Sequence, residues 1–340
     1  MRIANRILPV SAIALGLALA SFEGASAEDV ASAAGAFAPI AIGGRGTALG
    51  GAQTAAPSGV EAIIYNPAAM AETRDWTGGY YYSNMYALVP YHFTSGTYRL
   101  KGTPYVVGAA WLQNGDEIYS ENEVLLGGAY ERGWVHVGGS YKIRFAGTGG
   151  GGDEFVDPET NLGHQVDGSA LGLLGFDIGA SIRPFGPKYA VGVVLKDLFS
   201  RISWDTHNEA GTAKGEYAEY VPVTLRYGFL FDPDPFLDMV VDYEPSLYHD
   251  ALSRLATGVE IVPFEMLPDS WAKPYVHDLL AARIGYARNM FTNEASHRLS
   301  AGGGLNCRYM GMKLSVDAAY EWVYNFEHHN NLRVGFNLSR

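Results

Sequence analysis

Cysteine is nearly absent from this chain. Cys307 is the single one in 340 residues, so no internal disulfide can form and stability has to come from packing and hydrogen bonding. Charge is sparse as well, at 18% of residues, and its balance is acidic, with a formal net charge of -12. Binding nucleic-acid phosphates needs a basic face, so this balance excludes nucleic acid as an expected partner. After residue 27 no stretch approaches the roughly 20 apolar residues of a spanning helix, so any passage through a membrane must use strands.

What the chain has in quantity is glycine and tyrosine, 42 and 22 residues, the mark of strands joined by tight turns. Its first residues read as an export address. Arg2 and Arg6 precede an apolar run from Ile7 to Ala20, and Ala25-Ser26-Ala27 supplies the small-x-small pattern that a signal peptidase cuts. Residues 1–27 are therefore expected to be a cleaved signal peptide, with the mature chain starting at Glu28 and export to a Gram-negative outer membrane.

The C-terminal third alternates with a period of two. Met312, Leu314, Val316, Ala318, Tyr320 and Trp322 share one face, while Lys313, Ser315, Asp317 and Glu321 share the other. Leu332, Val334, Phe336 and Leu338 oppose Arg333 and Asn337 in the same way. Such alternation specifies strands. Extended backwards, it predicts fourteen antiparallel strands, near 76–84, 91–100, 104–113, 122–131, 134–146, 168–183, 188–197, 217–231, 236–243, 253–262, 278–287, 297–307, 311–324 and 330–340. Links such as "KGT", "RG", "PFGP", "DPDP" and "RYM" are short and fall after even-numbered strands, whereas 147–167 and 198–216 are longer. Tight turns at one end and longer loops at the other are the pattern of a transmembrane outer-membrane β-barrel, all-β in class. The link 263–277 is long at the tight-turn end and departs from it.

Ionic residues on the polar parity decide which face points inward. They are Arg183, Lys196, Arg226, Arg283, Arg298, Lys313 and Arg333, with Asp177, Asp238, Asp242, Glu260, Asp317 and Glu321. Turning one such cation into lipid costs about 2–4 kcal/mol at midplane, so these residues are expected to line the lumen. Cations and anions nearly balance, which favours internal pairing and the gripping of a plug. Arg226 and Arg283 are alternatively placed to meet a substrate carboxylate.

Residues 43–51, "GGRGTALGG", invite comparison with a phosphate-cradling loop. A nucleotide site, however, needs a strand before it, a helix after it and a βαβ frame, and none of these follows. The lumen offers another role. Residues 28–75 precede the first strand and are small and nearly uncharged, which suits an N-terminal hatch inside the barrel of residues 76–340. Gly46, Gly50 and Gly51 would let its backbone approach the wall. Asn66 before Pro67 is a helix start, with Asn as the cap and Pro in the first helical position.

Arg45 through Ala52, "RGTALGGA", followed by Asn66-Pro67-Ala68, resembles the N-terminal motif of the FadL/TodX-type superfamily of outer-membrane proteins. In spacing and chain length it is most similar to the PorV/PorQ-type branch. The resemblance implies a fourteen-stranded barrel with an internal hatch. It further implies either uptake of fatty acids or aromatic hydrocarbons, or service as a partner in a protein secretion system. Expected partners are thus outer-membrane lipid and a hydrophobic small molecule, or secretion-system proteins. A purely structural barrel is the remaining reading.

Other groups carry weaker signals. Asp153, Glu154, Asp157 and Glu159 match no calcium-loop spacing, and His328-His329 lacks a third ligand. No nucleophile elbow or zinc-protease helix occurs. Neither an enzyme, a metal site nor a cofactor is expected.

Overall fold

The computed structural model describes residues 41–55, 57–85, 89–115, 119–148, 155–156, 163–164, 166–184, 186, 188–208, 214–247, 253–266, 278–290, 297–323 and 330–340. The expected signal peptide, residues 28–40 of the expected hatch, the four acidic residues of 153–159, most of the link 263–277 and His328-His329 lie outside them.

The wall begins with β1 (Trp76–Met85), β2 (Val89–Arg99), β3 (Tyr105–Gly115), β4 (Tyr119–Arg132) and β5 (Val135–Thr148). A two-residue pair, β6 (Phe155–Val156) and β7 (Gly163–His164), stands apart from it. Then come β8 (Val166–Ile182), β9 (Tyr189–Asn208), β10 (Lys214–Tyr220), β11 (Thr224–Asp234), β12 (Leu237–Glu244) and β13 (Ser253–Ile261). The wall ends with β14 (Leu280–Met290), β15 (His297–Tyr309), β16 (Met312–Val323) and β17 (Asn330–Ser339). All neighbours pair antiparallel, and β1 meets β17 from Thr77↔Ser339 to Asn84↔Leu332, which closes the cylinder. The lower half of β9 pairs with β11 and its upper half with β10. The fifteen described wall strands therefore fill fourteen places. Among the described residues no helix is long and apolar enough to cross a membrane.

Parity sets the two faces. Val316 is 41% exposed and the next residue, Asp317, only 6%; Phe336 and Val334 are likewise exposed while Arg333 is buried. Apolar side chains point out and ionic ones in, the arrangement that spares lipid from charge. Aromatics gather near the strand ends, with Tyr105 against Tyr130 at 5.2 Å by the tight turns and Tyr320 against Trp322 at 4.6 Å by the long loops. Such placement suits the interfacial girdles of a membrane barrel. The tight turns rest on residues with positive φ, such as Gly133 (φ 62) and Gly311 (φ 77).

Two expected boundaries are corrected. The link 198–216 is not a long loop, because β9 runs on to Asn208 and β10 starts at Lys214. The alternation fails there for a local reason: Lys196, Asp197 and Leu198 are buried in succession, and Asp197 and Phe199 have φ of 63 and 58. This bulge turns Asp197 inward beside its two even-numbered neighbours, and even positions go on facing inward beyond it, as Ser200, Ile202 and Trp204 do. The expected strand 217–231 is likewise two strands, interrupted at 221–223.

Candidate functional site

The described N-terminal segment, residues 41–55 and 57–75, lies inside the cylinder. It folds as a one-turn helix α1 (Gly44–Ala48), a 3-10 turn (Gly59–Glu61), α2 (Ala62–Tyr65) and a second 3-10 turn (Pro67–Glu72). Asn66 caps the last of these: its Oδ1 accepts from Ala68 N at 3.1 Å, with Pro67 in the first helical position. Such short helices are not self-supporting. Wall side chains hold them.

Asp242 Oδ2 accepts from Gln53 N, Thr54 N and Thr54 Oγ1 at 2.9, 2.9 and 2.7 Å. Ser300 Oγ accepts from Gly50 N at 3.2 Å, and Arg254 donates to Gly50 O at 2.8 Å. Arg333 donates to Thr47 Oγ1 at 2.7 Å and Lys196 Nζ to Ile64 O at 2.8 Å. In the other direction, Arg45 reaches out to the wall, 3.1 Å from Glu260 and 3.9 Å from Asp238. Burial opposes the Arg45 charge, and the carboxylates of Glu260 and Asp238 more than offset it, holding the guanidinium above its ordinary value. Asn66 Nδ2 donates to Thr54 O and to Ala180 O of β8.

Inward-facing glycines give the segment room. A Cβ on Gly192 would lie 2.2 Å from Thr54 O, and one on Gly285 would lie 2.1 Å from Gly50 N. Backbone presses on backbone at both places.

The ionic residues expected on the lumen side divide into three groups. Asp177, Lys196, Arg226, Asp242, Glu260, Arg283, Asp317, Glu321 and Arg333 are buried on the inner face. Asp238 is half-buried beside Arg45. Arg183 and Lys313 sit at the tight-turn rim, paired with Glu72 at 2.8 Å and Asp278 at 3.0 Å, and Arg298 lies near the long-loop end of β15, opposite Val323. The two arginines considered for a substrate carboxylate have protein partners: Arg226 bonds Glu244, and Arg283 bonds Glu260 and Asp317.

Sequence reasoning missed the group that matters most above the segment. Lys142 lies 2.9 Å from Asp177 and 2.8 Å from Asp197, while Arg144 lies 2.5 Å from Glu123 and 2.6 Å from Asp197. Lys142 and Arg144 alternate in β5 as Lys313 and Asp317 do in β16, so parity alone would have found them. Asp197 is reachable only through the bulge. These charges flank a cavity of about 50 Å³ whose floor is Ile42, Ile64 and Tyr65 of the segment. It has room for a few waters and is far below the several hundred Å³ of a small-molecule site.

The wall beside the cavity is irregular. Between β8 and β9 the register shifts at Leu171/Leu174, Leu174/Phe176 and Phe176/Ile178, so the ladder is broken over the height that the cavity occupies. Outside the break lie exposed Leu173, Leu174, Ile178 and Phe199.

No family model and no curated protein matches the chain. Solved structures do. CymD, a monoaromatic hydrocarbon channel, is 13% identical with a TM-score of 0.58, over 89% of this chain and 98% of CymD. The chain has the FadL/TodX-type barrel fold. The Ralstonia pickettii toluene transporter TbuX matches over 87% of this chain and 97% of its own, at 14% identity and a TM-score of 0.55. A Pseudomonas aeruginosa FadL homologue matches over 88% and 97%, at 12% identity and a TM-score of 0.54. The secretion-partner branch expected from the motif spacing gains no support from these structures.

Proposed function

We propose that this chain is a non-enzymatic outer-membrane channel that passes small hydrophobic molecules, of the fatty-acid or aromatic-hydrocarbon type, past its N-terminal segment acting as a hatch. The observation that carries the reading is the position of the small cavity, between the floor made by Ile42, Ile64 and Tyr65 and the irregular β8–β9 ladder. A molecule arriving from the long-loop end meets that floor and goes no further until something moves. Two exits adjoin it. The segment can leave the wall, or β8 and β9 can part where their register is already irregular, delivering the molecule sideways into lipid. The names of the structures that share the fold, a toluene transporter and a monoaromatic hydrocarbon channel, support this substrate class.

The experiment is uptake of labelled toluene and of a labelled long-chain fatty acid into cells with and without the gene. Faster uptake of either with the gene is expected, and equal rates would end the proposal. A disulfide between Leu174→Cys and Arg201→Cys, which face each other across the break, made in a Cys307→Ser background, separates the exits. Reductant-reversible loss of uptake assigns the sideways route, and unchanged uptake assigns the route past the segment.

A further inference from the structure

Glu61 is 1% exposed and sits between the segment and the wall. Its Oε2 accepts from Gly46 N at 3.0 Å, and its Oε1 has no hydrogen-bond partner. Gly43, at φ 81, makes room: a Cβ there would lie 1.9 Å from Glu61 Oε1. Asp317 of β16 packs against α1 at the same place, 2.7 Å from where a Cβ on Gly44 would sit.

An ionised carboxylate in such a position needs a cation. Arg45 and Arg283 are near enough to act on Glu61, but both are committed. Arg45 is held by Glu260 and Asp238, and Arg283 by Glu260 and Asp317. Two guanidiniums thus face three carboxylates before Glu61 is counted. The other groups around it bring no free positive charge. Tyr81 of β1 brings its hydroxyl to the Glu61 carboxyl, a neutral partner, and the Tyr65 hydroxyl of α2 is bonded to Ile42 N and O. From β2 comes Ser95, bonded to Val60 O, and from β17 come Asn337, against Gly59, and Arg333, which Glu321 pairs at 3.2 Å. Burial, and after it the Asp317 charge, pushes the Glu61 carboxyl up to about 8.

We propose that Glu61 is a proton-operated latch: as a neutral carboxyl it lets the N-terminal segment seat against β14 and β16, and its ionisation drives the segment off the wall. The inference rests on the segment being a hatch, and not on which molecule passes it. A carboxyl raised in the seated state favours seating fully below its ordinary value of 4.5. Seating then weakens about tenfold per pH unit and levels off near the raised value.

The test uses the full-length protein in lipid bilayers, from about pH 5 to about pH 9. Hydrogen exchange of peptides within 43–54 is compared between wild type and Glu61→Gln at each pH, so that the intrinsic exchange rate cancels. Potassium chloride conductance is recorded in parallel. The wild type is expected to exchange as slowly as the variant at the acid end and at least about tenfold faster at the alkaline end, with conductance rising in step. Equal exchange at every pH would overturn the latch. Asp317→Asn provides a second reading if Glu61→Gln does not fold. It removes the repelling carboxylate and frees Arg283, so the level region must begin at lower pH, and an unmoved profile overturns the latch as well. A steep profile without uptake of any hydrophobic molecule would support the latch and count only against the transport reading.

Discussion

Three donors converge on one carboxylate oxygen at Asp242, two of them backbone N–H groups of Gln53 and Thr54. Hydrogen bonds to a charged acceptor contribute about 1.5–3 kcal/mol each, against about 1 for neutral pairs. Asn66, which also makes three bonds with the segment and the wall, has only neutral partners. Asp242→Ala is therefore expected to cost the seated segment about 3 kcal/mol or more and Asn66→Ala about 1–2 kcal/mol. Hydrogen exchange of peptides covering 50–55 measures both. A larger effect of Asn66→Ala would mean that charge does not dominate the seating. The wall is indifferent to either change, because its own ladder uses neither side chain.

At the scale of elements, α1 is held as much by what the wall lacks as by what it offers. Gly285 of β14 faces Gly50 N and Leu49 C, where a Cβ would come to 2.1 and 2.3 Å. Both atoms are backbone and cannot rotate away, so Gly285→Ala must lift α1 from the wall. Overpacking of this kind costs about 1–3 kcal/mol or more. The expected result is a raised conductance with unchanged heat resistance of the barrel band on a gel. An unchanged conductance would show that α1 does not lie against β14. The same glycines explain what was legible. In the last four strands, period two assigns faces residue by residue, from Met312 outward to Arg333 inward. Glycines within strands on the inward parity also mark close backbone approach, a signal that sequence reading had used for Gly46, Gly50 and Gly51 of the segment but not for Gly192 or Gly285 of the wall. The site above the segment was half legible. Lys142 and Arg144 keep parity, whereas Asp197 is turned inward by a bulge that no periodicity encodes.

For the whole molecule, wall and segment draw on different sources of stability. Every described wall strand except β10, which pairs only with β9, has a partner on both sides, with β17 returning to β1, and the exposed apolar face is stabilised by lipid rather than by anything inside. The segment, by contrast, depends on inward side chains such as Asp242, Lys196, Arg254 and Arg333. If residues 28–75 are removed, those side chains lose their partners but gain water, which fills a lumen that is already ionic. Hydration compensates polar groups that would be costly to leave dry. The truncated chain is accordingly expected to keep its strand content by circular dichroism and its heat-modifiable migration, while its single-channel conductance rises well above that of the full chain. Collapse of the barrel would show that the segment is part of the core. A folded barrel with the original conductance would show that residues 28–75 obstruct nothing, and the passage would have to be closed by the Lys142–Asp197–Arg144 cluster alone.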